Sequence, residues 1–131
     1  MPVATGNFVL DKGYRAAAAL TKFYAVKFSA AGTVTPVTAN TDLIAGFAQF
    51  GVTTAEIARG KGCLARVIGI TEAVATGAIT IGAQVQLESD GRVSALVGSS
   101  GKRIVGRCVG APSTNAGDRI SLDIDPNGGV A

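Results

Sequence analysis

The segments VKFSAAGTVTPV (residues 26–37) and VQLESDGRVSAL (residues 85–96) share one frame, V-x-φ-x-x-x-G-x-V-x-x-φ, where φ is a large apolar residue. They stand 59 residues apart. Each reads as a strand, a glycine-containing turn and a second strand. In the second copy the turn carries Asp90-Gly91, a pair that tolerates positive φ and favours hairpins. The agreement continues downstream. LIAGFAQ (43–49) matches RIVGRCV (103–109), with Ile44 over Ile104 and Gly46 over Gly106. ARGKGCLARV (58–67) then matches NAGDRISLDI (115–124), setting Cys63, Ala65 and Val67 over Ile120, Leu122 and Ile124. Three ordered blocks, at spacings between 57 and 60 residues, identify an internal repeat rather than chance similarity.

One such half has an apolar face and two open sheet edges, so it is not stable alone. Two halves can close on each other around a shared core. The expected fold is all-β, a small β-barrel or sandwich built from two pseudo-repeated β halves with an extended N-terminal arm. Glycines punctuate the chain every eight to twelve residues or so, the rhythm of such folds. The expected division is an arm over 1–22, a barrel-like domain over 23–125 and a flexible C-terminal tail over 126–131. In the arm, Val3, Phe8, Val9 and Leu10 alternate irregularly with Pro2, Gly6, Asn7 and Gly13. YRAAAALTKF (14–23) suits either one or two helical turns or a strand.

Composition narrows the function. The 131 residues are 47% hydrophobic and only 16% charged, against about 25% charged in an ordinary soluble domain. Such a chain is either a small Ala/Gly-rich barrel or one whose surface ends against other chains. No apolar run approaches the ~20 residues of a membrane span, and Asp11, Lys12 and Arg15 interrupt the place of a signal-peptide core. The net charge of +3 is scattered, without a basic cluster for nucleic acid.

Catalytic and metal motifs are absent from the sequence. There is no histidine, which removes Ser-His-Asp and Cys-His catalysis and most zinc sites. Asp123 and Asp125 share a strand face but supply too few oxygens for a cation site. Glu88 and Asp90 flank a turn. GSSGKR (98–103) fails as a phosphate loop, because Leu96 and Arg103 stand where glycine and Ser/Thr are required. Cys63 and Cys108 are expected to be reduced, buried thiols, and Phe47 and Phe50 to be core residues. No catalytic, metal or cofactor-binding residue is therefore expected. What remains is a non-enzymatic β-domain that binds something, including copies of itself.

The ordered segments GTVTPV, DLIAGFAQ, GKGCLARVIGITEAV, IGAQVQLESDGRV, RIVGRCVGA and AGDRISLDI resemble the capsid decoration (cement) proteins of tailed bacteriophages, over roughly residues 23–125. The resemblance implies a β-barrel-like virion protein, made in the bacterial host cytoplasm and located on the capsid exterior. It implies a homotrimer that clamps neighbouring major capsid subunits. The alternatives are an OB-like nucleic-acid-binding barrel and a tail structural subunit. The arm is expected to contact the capsid or a neighbouring protomer through Pro2, Val3, Phe8, Val9 and Leu10, by strand addition; a disordered terminus is the competing expectation.

Overall fold

The computed structural model describes residues 8–125 and 127–131. The first half comprises strands β1 (Leu10–Ala16), β2 (Ala25–Ala30), β3 (Thr33–Pro36), β4 (Gly46–Ala48) and β5 (Cys63–Ile68), with a short helix α1 (Thr54–Ala58) between the last two. These strands close into a barrel in the order β1-β3-β2-β4-β5. The second half comprises β6 (Ile70–Val74), β7 (Gln84–Leu87), β8 (Val93–Ala95), β9 (Ile104–Gly110) and β10 (Arg119–Ile124). They form a sheet in the order β6-β10-β9-β7-β8. A parallel bridge from Ala75 to Val93 links its two ends.

The all-β barrel reading holds, and the repeat is deeper than its sequence signature. The parallel pair Ala16–Val34 recurs as Ala75–Val93, and the antiparallel bridge Leu20–Val52 recurs as Ile79–Ser113. The Phe23 N–H donates to the Ala48 carbonyl at 2.7 Å, and the Gly82 N–H donates to that of Cys108 at 2.7 Å. The duplicated unit thus begins within the segment read as an arm. Of residues 14–23, read as helical turns or a strand, 14–16 belong to strand β1, which pairs antiparallel with β5 and parallel with β3, and none is helical. The C-terminal segment is also tied down. Val130 bridges Arg103, and the Ala131 N–H donates to the Lys102 carbonyl at 2.8 Å.

The two halves do not share one sheet: among the described residues no strand of β1–β5 pairs with a strand of β6–β10. They meet through packed side chains and isolated hydrogen bonds. Leu20, Val26, Val34, Val52, Cys63 and Ala65 fill the first barrel. The second core, around Val85, Leu87, Val105, Ile120 and Leu122, also takes in Ala25, Val37 and Phe47 from the first half. Phe47 is fully buried there, a gain of about 2–3 kcal/mol.

Polar contacts line the same seam. The Ala25 N–H donates to the Gly91 carbonyl at 2.9 Å. Gln49 Nε2 donates to Thr71 Oγ1 at 2.9 Å. The Arg103 backbone N–H donates to Asn40 O at 2.8 Å, and its guanidinium donates to Thr41 O at 2.9 Å. Asp42 shapes the loop that presents those two carbonyls. Its carboxylate accepts from the N–H groups of Thr38 and Ala39 and lies 3.1 Å from Lys27 Nζ.

The 88–92 turn differs from a two-residue hairpin. Only Gly91 takes the left-handed conformation (φ 93°), while Asp90 Oδ1 accepts from the Arg92 N–H at 3.0 Å. A Cβ on Gly91 would lie 2.8 Å from the Ala25 carbonyl, whereas the matching Gly32 (φ 71°) faces open space.

Two predictions follow from this seam. Gly32→Ala carries only the conformational cost of about 1 kcal/mol, while Gly91→Ala costs about 2 kcal/mol more by wedging the halves apart; urea midpoints of the two variants measure the difference. Burial raises the Asp42 pKa, but the N–H groups of Ala39 and Thr38 and the Lys27 ammonium outweigh it, so its pKa falls below 3.8. The stability it contributes is present above its unfolded pKa and is lost as pH falls through its lower folded value. Asp42→Asn is therefore expected to lower stability near neutrality and to flatten its decline as pH falls below about 5, as read by thermal melts.

Candidate functional site

Strand β1 enters beside β5 with Leu10 opposite Ile68, and the register slips immediately after Leu10. Asp11 then holds Arg66 with both oxygens, at 2.8 Å to Nε and 3.1 Å to Nη2. The Asp11 carboxylate pushes the Arg66 pKa further up, and Arg66 Nη1 donates to the Ile70 carbonyl at 3.0 Å. One guanidinium thereby fastens β1, β5 and β6 where the first half turns into the second.

That turn is made by Gly69 alone, in the left-handed region (φ 103°). Residues 8 and 9 cross directly over it. A Cβ on Gly69 would collide with the Phe8 carbonyl and lie 2.8 Å from Val9 Cγ1. The crossing leaves Phe8 83% exposed, and Val9, Leu10, Ile68 and Ile70 are exposed beside it. The structure thus gathers three of the sequence-chosen residues, Phe8, Val9 and Leu10, with two that the sequence reading did not single out. Pro2 and Val3 lie outside the described residues. Ile68 and Ile70 were missed because strand alternation placed them among ordinary barrel positions; the I-G-I punctuation between two strands was the available signal.

Elsewhere the chemistry is bland. Asp123 and Asp125 line a shallow cleft of about 310 Å³ with Gln84, Ile104 and Arg107. The Arg107 guanidinium donates to the Gly82 carbonyl at 3.0 Å. No group of three metal-ligating side chains occurs among the described residues. Lys102 of GSSGKR is tied to both oxygens of Glu88 at 2.7 Å, and Asp90 to Arg92 at 2.7 Å. Phe47 is core, as expected, while Phe50 is half-buried beneath the Lys61 ammonium, 5.1 Å from its centroid.

Helix α1 carries a capping box, with the Glu56 N–H donating to Thr53 Oγ1 and the Thr53 N–H to Glu56 Oε1. The sequence T-x-x-E at 53–56 was its legible sign. The hydrogen bonds from Lys61 and the Thr53 N–H hold Glu56 down to about 2.

Both cysteines are free and buried, one in each core, and burial pushes the Cys63 thiol up. Native protein is expected to react with a soluble disulfide reagent at least about a hundredfold more slowly than in denaturant, where both thiols titrate. Fast native labelling of either cysteine would contradict this packing.

Comparison with known proteins bears on this geometry. The family model for phage cement proteins matches residues 42–124, more than half of the chain. The crystal structure of the head fiber gp8.5 N base of bacteriophage phi29 superposes with a TM-score of 0.62, covering 91% of this chain and 96% of that one. Identity between the two is 16%, so the likeness is one of fold. No curated protein matches.

Proposed function

The chain belongs to the phage cement protein family, and from that premise we propose that it binds the outer surface of the phage head as a homotrimer and clamps neighbouring major capsid subunits, catalysing no reaction. It is a virion structural protein that binds the capsid. The observation that carries the finer reading is the apolar patch of Phe8, Val9, Leu10, Ile68 and Ile70. An aromatic side chain held in water on a fixed strand entry is the kind of anchor that fills a pocket on a partner. The fold supplies its rigidity through Arg66 and Gly69. A symmetric oligomer presents several such anchors at once, so modest contacts add up to firm attachment.

Charge distribution speaks against nucleic acid as the partner. Lys27, Lys61, Arg66, Arg92 and Lys102 are each engaged by a carboxylate, which leaves them poorly placed to neutralise phosphates.

The test is co-sedimentation of the purified chain with expanded heads of its phage that lack it. Saturable binding at a fixed ratio to the major capsid protein, with heads more resistant to heat, is expected. Phe8→Asp is expected to weaken binding at least about tenfold without changing the melting temperature. A folded chain that binds no form of the head would overturn the attachment reading. Unchanged binding by Phe8→Asp would move the contact off this patch.

A further inference from the structure

We propose that a second copy of this chain docks head-to-tail by repeating between molecules the seam that joins the two halves within one. The proposal rests on the oligomeric part of the reading above and supplies its interface.

Each half has two ends. At the seam, the first half presents one end (Phe23, Ala25, Phe47, Gln49), and the second half presents the opposite end (Thr71, Leu87, Gly91, Arg119). Because the halves are repeats, each of these ends exists twice, and one copy of each is left over. The unused copy on the second half carries Gly82, Gln84, Arg107 and Val109, at the positions of Phe23, Ala25, Phe47 and Gln49. Gln84 and Arg107 are exposed where Ala25 and Phe47 are buried, and Ile81 and Val109 stand apolar and exposed around them. The unused copy on the first half carries Lys12, Phe28 and Gly32, at the positions of Thr71, Leu87 and Gly91.

Phe28 decides the matter. Its counterpart Leu87 is fully buried in the core that Phe47 and Ala25 help to build, yet Phe28 is 53% exposed. It leans edge-on against Tyr14, with centroids 5.3 Å apart. Gly32 likewise faces open space where Gly91 is pressed on Ala25. The first half therefore ends in an apolar surface whose equivalent is covered by the preceding repeat. The occupant that fits is the repeat counterpart of the surface that covers it in cis, and the far end of a second copy carries one. By the pairing of the internal seam, Arg107 and Gln84, at the positions of Phe47 and Ala25, face Phe28, and Val109, at the position of Gln49, faces Lys12. Gln84 and Arg107 replace apolar side chains, which makes this contact weaker and wetter than the internal seam. A contact of this kind is heterologous and closes into a ring when its rotation allows; a ring of three chains contains six repeat units, covalent and non-covalent seams alternating.

Mixing experiments test the geometry, using full-length chain in sedimentation velocity. Phe28→Lys, which would face Arg107, spoils one end and Val109→Lys, which would face Lys12, the other, and both side chains are exposed enough for the chain to fold, as a melting temperature within a few degrees of the parent's will verify. Each variant alone is expected to lose self-association at least about tenfold. Mixed, they should form a one-to-one dimer and nothing larger, since each retains the end the other lacks. Association of either variant at the parent's strength, or a mixture that stays monomeric, would overturn the proposal. A parent chain that is monomeric both free and on heads would overturn it while leaving capsid attachment intact. A parent that self-associates as stated but binds no head would sink attachment and leave this interface standing.

Discussion

The molecule depends on the contact between the closed first barrel and the second sheet, at Ala25, Phe47 and Gly91. Each half holds about sixty residues, a size at which a hydrophobic core alone is marginal. The second half cannot finish its core from its own strands and takes Phe47, Ala25 and Val37 from the first. The seam permits no play. Ala25 donates to the Gly91 carbonyl while its own carbonyl fills the space where a Cβ of residue 91 would sit. It also holds Phe23 in the left-handed region (φ 64°), where its repeat partner is glycine. The Phe23 ring carries the Lys22 ammonium at 4.8 Å and, from the other half, the Arg119 guanidinium at 4.9 Å, contacts that help offset the backbone strain.

What was legible in the sequence is what the repeat shared. The valines of the hairpin frame (Val26 and Val85, Val34 and Val93), the glycine of β4 and β9, and the alternation Ile120-Leu122-Ile124 all describe buried positions. Interior packing is the same problem in both halves, so the residues match. Gly46 and Gly106 match for a steric reason, since a Cβ at either would drive into the neighbouring strand's Arg66 or Asp123 carbonyl. Strand β1 was not legible, because LDKGYRA pairs through its backbone while its side chains are mostly exposed, which erases the hydrophobic period that marks a strand. Its counterpart ITEAV alternates, with Thr71 and Ala73 buried, but the matching Lys12 and Tyr14 are exposed and half-buried, so the repeat gave no help. The candidate patch was half legible. An apolar run at Phe8-Val9-Leu10 is visible in any reading, but its joining to Ile68 and Ile70 depends on a chain crossing over Gly69 that periodicity does not encode.

The family match and the repeat illuminate each other. The matched segment begins at residue 42, inside the loop before β4, and so leaves β1, β2 and β3 outside. The repeat recovers those strands, since each has a counterpart within the matched segment. Conversely, the phi29 head fiber base covers nearly the whole chain at 16% identity, so the tandem arrangement is retained while most side chains are free to change. In such an arrangement the interior is common property and the surfaces carry the individuality.

Identical repeats stack without limit. A chain of finite length must make its repeats unlike at the ends, as terminal repeats of stacked proteins do when they turn a polar face outward. Here Ala25 becomes Gln84, Phe47 becomes Arg107 and Phe23 becomes Gly82 at the far end, and the apolar anchor that completes a core within the chain is absent there. Yet Phe28 at the near end was not made polar, and Ile81 and Val109 at the far end were not either. Full capping would have replaced them, and full stacking would have kept Phe47. The ends lie between those limits, as suits the weaker contact between molecules proposed above.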